Sequence, residues 1–145
     1  MIRKTHRRVV RHADGWQTAV SDPDDLAWRL ADIREPAVAE GRDPDTIETH
    51  LYHNININED REAGLAESKR FLDTYYMTDY TRDALESWVA LGSPEECVEH
   101  LKEFERLGFD EVTVRITAWD QRGQLDRLMA EVAPHFELIA PAVAV

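Results

Sequence analysis

The stretch Glu48-Thr49-His50-Leu51-Tyr52-His53-Asn54-Ile55-Asn56-Ile57 alternates in character along its whole length. On a strand, Leu51, His53, Ile55 and Ile57 share one face, while His50, Tyr52, Asn54 and Asn56 share the other. Glu111 to Thr117 repeats the pattern, with Val112, Val114 and Ile116 opposed to Thr113, Arg115 and Thr117. A shorter strand is expected over Gly15 to Ala19. Parallel strands covered by helices on both sides are apolar throughout. Strands with one polar face belong instead to a barrel whose interior meets a ligand, or to a sheet facing solvent. Either way the polar face is where chemistry would sit.

Helices fill the intervals. Ser21-Asp22-Pro23-Asp24-Asp25 sets a capping side chain ahead of a first-turn proline, with acids at the positive end of the helix dipole. Leu26, Leu30, Ile33 and Ala37 then form one apolar stripe, Gly41 ends the helix, and Pro36 predicts a kink over Asp32 to Pro36. Gly92-Ser93-Pro94-Glu95-Glu96 has the spacing of a capping box, followed by the stripe Cys97, Val98, Leu101, Phe104 and Leu107 and a closing Gly108. Leu125, Leu128, Met129, Val132 and Phe136 mark a last helix, with Asp60 to Tyr76 and Arg82 to Leu91 as two more. Strand and helix alternate in the order of right-handed βαβ crossovers, so the class is α/β with about three parallel strands and five to six helices.

Composition narrows the function classes. The 145 residues hold 17 Lys+Arg against 29 Asp+Glu, a net charge of −12, which repels phosphate backbones and argues against nucleic acid as a general partner. Residues 1–12 are the exception: Arg3, Lys4, Arg7, Arg8 and Arg11 occur there with no acid, as an anion-gripping arm or simply a basic helix face. The tail Leu138 to Val145 is apolar but far too short to span a membrane, and the basic start lacks the apolar core of a secretory signal. The single cysteine, Cys97, lies on a buried stripe and reads as a core residue. These features predict a soluble, cytoplasmic protein of one domain over residues 1–145. No metal site is expected, because His50 and His53 point to opposite faces of their strand. Serine-nucleophile, phosphate-loop and zinc-cysteine motifs are absent from the sequence.

Several short motifs then occur in a fixed order: Ala13-Asp14-Gly15-Trp16 after an Arg-rich segment, Gly41-Arg42-Asp43-Pro44, Gly92-Ser93-Pro94-Glu95-Glu96, Gly108-Phe109-Asp110-Glu111-Val112 and Glu131-Val132-Ala133-Pro134. Together, over residues 7–136, they resemble the C-terminal part of the bacterial-luciferase-like monooxygenase family, including its deazaflavin-dependent branch. The resemblance implies a TIM-type (β/α) barrel and an oxidoreductase or monooxygenase that uses FMN or the deazaflavin coenzyme F-420 on a small organic substrate. Such barrels need about 250 residues. The chain therefore corresponds to a partial barrel: Gly15 to Ala19 would be the sixth strand, Glu48 to Ile57 the seventh and Glu111 to Thr117 the eighth. Its completion or cover would come from oligomerisation, as a homo-oligomer or with a complementing barrel chain, or from a longer reading frame.

Catalytic groups of TIM barrels lie at the C-terminal strand ends. That rule selects Arg115, Asn56 and Gln17 as cofactor contacts, and Asn54, Asn58, Thr117 and Trp119 as substrate contacts. Arg8 joins the cofactor group, since the glycine-rich phosphate turn of the family is replaced here by Met1-Ile2-Arg3-Lys4. Arg115 suits bidentate binding of a carboxylate or phosphate, or an ion pair with a neighbouring acid. Trp119 suits cover of a planar ring, or packing under the loop Asp120 to Gly123. The asparagines suit a flavin or substrate, or one another. No residue is assigned a catalytic role. A non-catalytic partial barrel, dimerising or binding a ligand, is the alternative reading.

Overall fold

The structure, a computed structural model, describes residues 2–19 and 22–138. Six helices and four strands alternate: α1 (Ile2–His12), β1 (Gly15–Thr18), α2 (Pro23–Ala39), β2 (Glu48–Ile57), α3 (Arg61–Tyr76), α4 (Arg82–Trp88), β3 (Val89–Gly92), α5 (Pro94–Leu107), β4 (Glu111–Ile116) and α6 (Gln121–Arg127). The last helix continues as a π-helical turn, Leu128–Val132. Of the apolar tail only Leu138 is described, and it is exposed; the rest lies outside the described residues.

All pairing is parallel and centres on β2. β1 pairs with residues 48–51 and β3 with residues 54–57. β4 pairs with residues 50–55, overlapping both, so β1 and β3 share one edge of β2 and β4 holds the other. The result is an open sheet of partial-barrel type, in keeping with the α/β expectation.

One element differs from the sequence reading. The helix expected over Arg82 to Leu91 ends at Trp88, and Val89–Gly92 is a strand. All four of its residues are buried, and the short apolar run finds ladder partners along Asn54 to Ile57. Tertiary pairing thus overrides helical continuation, as is common for short apolar runs. Helix α2, by contrast, runs on through Pro36 to Ala39.

The apolar faces of the strands carry the main core. Leu51, Ile55 and Ile57 meet Val9 and Val10 of α1, Leu26, Leu30 and Ile33 of α2, and Val98, Leu101 and Phe104 of α5. This is the outer, helix-covered side of the sheet. A second cluster of Leu65, Leu72, Leu85, Val89 and Leu91, flanked by Phe71, Tyr80 and Trp88, lies with α3 and α4 on the opposite, inner side.

The short motifs act as fasteners of this scaffold. Arg42 donates to the carbonyls of Val10 (3.0 Å) and Ala13 (2.8 Å), capping the C-terminus of α1 with a cation. Asp110 accepts from the N–H (2.7 Å) and hydroxyl (2.8 Å) of Thr49, which ties the start of β4 to β2. Ser93 and Glu96 form the capping box of α5. Gly92 has φ +117°, and a Cβ there would strike the Glu96 carboxylate that closes this box. Trp16 packs beside Phe109 and edge-on to His6. Cys97 is buried, its thiol pushed up to about 12 by burial, consistent with a core role.

Candidate functional site

The polar face of β2 and β4 forms a ladder of aligned rows. Register sets Gln17, His50 and Glu111 in one row, Tyr52 and Thr113 in the next, and then Asn54 beside Arg115. Beyond the end of β4, Asn56 donates to the Thr117 carbonyl at 3.3 Å. The row nearest the C-terminal strand ends is therefore Asn56–Thr117, as the barrel rule requires.

Helix α3 lies across this upper part of the face. Its contact stripe is made of small residues: Gly64 and Ser68, four apart, both buried. A Cβ on Gly64 would stand 3.1 Å from the Asn58 Cβ and 3.5 Å from the Asn56 Oδ1, so only glycine allows this approach. The hydroxyls of Ser68 and Thr117 share a hydrogen bond of 2.9 Å, and Thr117 also donates to the Ile55 carbonyl. Glu67 accepts from the Asn56 amide at 3.0 Å and from the Trp119 N–H at 3.1 Å. This carboxylate bridges β2 and the loop after β4.

Two acceptors are left over. Asn54 and Asn56 are fully buried, and the Oδ1 of each receives no hydrogen bond among the described residues. Asn54 uses its amide N–H to reach the Trp88 carbonyl at 3.1 Å. A buried carbonyl oxygen without a donor costs free energy, about 1–3 kcal/mol. Two of them, two residues apart on one face, mark a place that calls for an N–H or O–H group.

Arg115 is neither ion-paired nor aimed at an anion among the described residues. Its guanidinium sits 3.7 Å from the Tyr75 ring centroid, 5.2 Å from that of Phe71 and 5.4 Å from that of Tyr76, and it donates to the Tyr76 hydroxyl at 3.2 Å. Stacked aromatic faces satisfy the cation through their quadrupoles. Trp119 leans on Phe71 (centroids 5.2 Å apart) and stays 56% exposed at the strand ends.

The other candidates lie apart from this cluster. Gln17 is exposed on the same face, in a shallow cleft with Thr18, Ala19 and Tyr52. Asn58 accepts from the Asp60 N–H at the entry to α3. Arg8 is on the exposed side of α1, whose buried Val9 and Val10 belong to the outer core, so it is across the sheet from the asparagines. Glu67, Ser68 and Tyr76 join the site although the sequence reading did not select them. The signal for the first two was the Gly64/Ser68 spacing, a helix stripe small enough to lie directly on a strand. His50 and His53 face opposite ways, and no group of three or more metal-ligating side chains occurs among the described residues.

A partial parallel barrel with polar side chains gathered at its C-terminal strand ends can now be set against known proteins. The family model of luciferase-like monooxygenases matches residues 2–111. The chain belongs to the luciferase-like monooxygenase family. No curated protein sequence matches this luciferase-like chain. Among solved structures, it is similar to a coenzyme F-420-dependent tetrahydromethanopterin reductase from Methanopyrus kandleri, with 19% identity and a TM-score of 0.74 over 93% of this chain and 49% of that one. An F-420-dependent secondary alcohol dehydrogenase in complex with an F-420–acetone adduct matches with 16% identity and a TM-score of 0.77, over 92% and 46%. A riboflavin lyase with modified FMN and riboflavin matches with 16% identity and a TM-score of 0.65, over 89% and 39%. The luciferase-like chain thus spans about half or less of the structures it resembles.

Proposed function

We propose that the chain provides the C-terminal wall of a flavin- or deazaflavin-dependent oxidoreductase acting on a small organic substrate. The observation that carries this reading is the pair of buried, donor-less oxygens, Asn54 Oδ1 and Asn56 Oδ1, at the strand ends where such barrels bind ligands. A flavin or deazaflavin ring edge carries an N–H and carbonyl oxygens, so asparagine amides and the Thr117 hydroxyl are suitable partners. Trp119 offers an exposed aromatic face nearby. When bound, the ring supplies hydride or oxygen chemistry, while the protein positions and polarises it.

The ring edge fits this wall better than the phosphate does. Arg115 is enclosed by aromatic rings, and Arg8 is on the outer side of the sheet. Phosphate contacts would come from parts of a complete barrel that this chain lacks. Gln17 and Asn58 border the same face and would meet the substrate end of a bound ligand. Titrating the purified chain with FMN and with F-420, followed by ring fluorescence, tests the reading. Saturable quenching that weakens about 5- to 100-fold in Asn56→Ala supports it, that range corresponding to one lost buried hydrogen bond. Absence of quenching by either ring contradicts it.

A second reading draws on the position of α3. Because Gly64, Glu67 and Ser68 already occupy the polar groups of Asn56 and Thr117, a non-catalytic partial-barrel module would leave the face as it stands. Turnover with a bound cofactor separates the two.

A further inference from the structure

Among the described residues, the outer edge of β4 pairs with no strand. This edge is six residues long, contains no proline, and keeps Val112, Val114 and Ile116 only partly buried. The opposite edge of the sheet is less inviting, since β1 has four residues. A long, β-branched, unblunted edge is a template for a further strand.

The last helix adds to it. Its apolar residues fall into two adjacent stripes. Leu128, Val132 and Phe136 pack on the outer core. Leu125 and Met129, four apart, remain 44% and 50% exposed. A helix that buries one stripe and leaves a second apolar one in water lacks a neighbour. Leu125 and Met129 belong to the element that follows β4 and packs against it. Open strand edge and open helix stripe form one seam.

We propose that a second copy of this chain docks on this seam, β4 edge to β4 edge, with Leu125 and Met129 covered by the same contact. The inference rests on the partial-barrel reading above. Its occupant follows from length: one copy spans 49% and 46% of two solved relatives, so two copies supply the chain of one whole barrel. Two-fold symmetry makes the interface self-complementary and sets the two β4 strands antiparallel. Such pairing satisfies both edges at once and leaves no open one to propagate.

Sedimentation velocity over a range of concentrations, with hydrogen exchange of the β4 amides, tests the proposal. The wild-type chain is expected as a dimer whose β4 amides gain protection with concentration. Leu125→Glu/Met129→Glu, at exposed positions, is expected to be monomeric with an unchanged far-UV spectrum. Three results overturn the proposal: a wild-type monomer throughout, a dimer indifferent to the double variant, or β4 amides already protected in the monomer, which would mean that the seam is covered within one chain. Cofactor quenching is read separately, so loss of the dimer and loss of ring binding are distinguishable outcomes.

Discussion

The imidazoles of His53 on β2 and His100 on α5 meet nitrogen to nitrogen, Nε2 to Nε2 at 3.1 Å, with Phe104 packed edge-on to both. Burial, then the neighbouring His100, lowers the His53 pKa to about 3, and burial likewise lowers that of His100. Glu103 opposes the shift of His100 and Arg61 reinforces it. The unfolded chain, with histidine near 6.5, therefore binds more protons than the folded one between about pH 6.5 and 3. Stability is complete above 6.5 and falls with acidification through that window, by up to about 1.4 kcal/mol per pH unit for each histidine. Urea midpoints measured from pH 7.5 to 4.5 should fall steeply for the wild type and less steeply for His53→Leu. Equal slopes would remove the histidine pair as the cause.

Arg42 holds the end of α1 through one guanidinium nitrogen that reaches the carbonyls of Val10 and Ala13. Arg42→Ala should cost roughly 1–3 kcal/mol, the range for hydrogen bonds to a charged group. Arg42→Lys should recover only part, because an ammonium cannot copy the planar fork that also reaches Thr46. Thermal or chemical denaturation of the two variants checks the order.

Gln124 takes the place of a strand at the tip of β2. Its side-chain oxygen accepts from the Ile57 N–H at 2.9 Å, and its amide donates to the Ile57 carbonyl at 2.7 Å. In Gln124→Ala the Ile57 amide should exchange with solvent at least about tenfold faster, since a lost hydrogen bond of about 1–1.5 kcal/mol is worth that factor. Gln124→Glu should keep the acceptor and restore much of the protection.

Cys97, enclosed beneath the carbonyls of Ala90 and Gly92 and with its thiol pushed up to about 12, should resist thiol reagents until the chain unfolds. Rapid labelling of the native protein by an aromatic disulfide would contradict this placement.

Much of the fold could be read from residue order because its determinants are local. The alternation from Glu48 to Ile57 sets the central strand, and Ser93 with Glu96 sets the start of α5. β3 escaped because Val89-Ala90-Leu91 has no periodicity of its own; its partner lies more than thirty residues earlier. The site was legible in part. Asn54, Asn56, Thr117 and Arg115 were selected by strand parity, and they do share one face. What parity does not contain is the cover. Nothing in the alternation of β2 says that α3 folds back over the same face, brings Glu67 to Asn56, and surrounds Arg115 with Tyr75 and Tyr76. The family motifs, for their part, mark capping and strand-tying residues such as Arg42 and Asp110, so they identify the scaffold and leave the ligand unnamed.

The account turns on whether the donor-less amides of Asn54 and Asn56 meet a cofactor ring. Side-chain amide and indole NMR signals of the labelled chain, recorded while FMN or F-420 is added, report on this directly. Saturable shifts of the Asn54 and Asn56 amides and of the Trp119 indole are expected, with Arg8 and its neighbours on α1 unmoved. Shifts confined to α1, or none at saturating ring, would contradict the assignment of the inner face as the ligand wall.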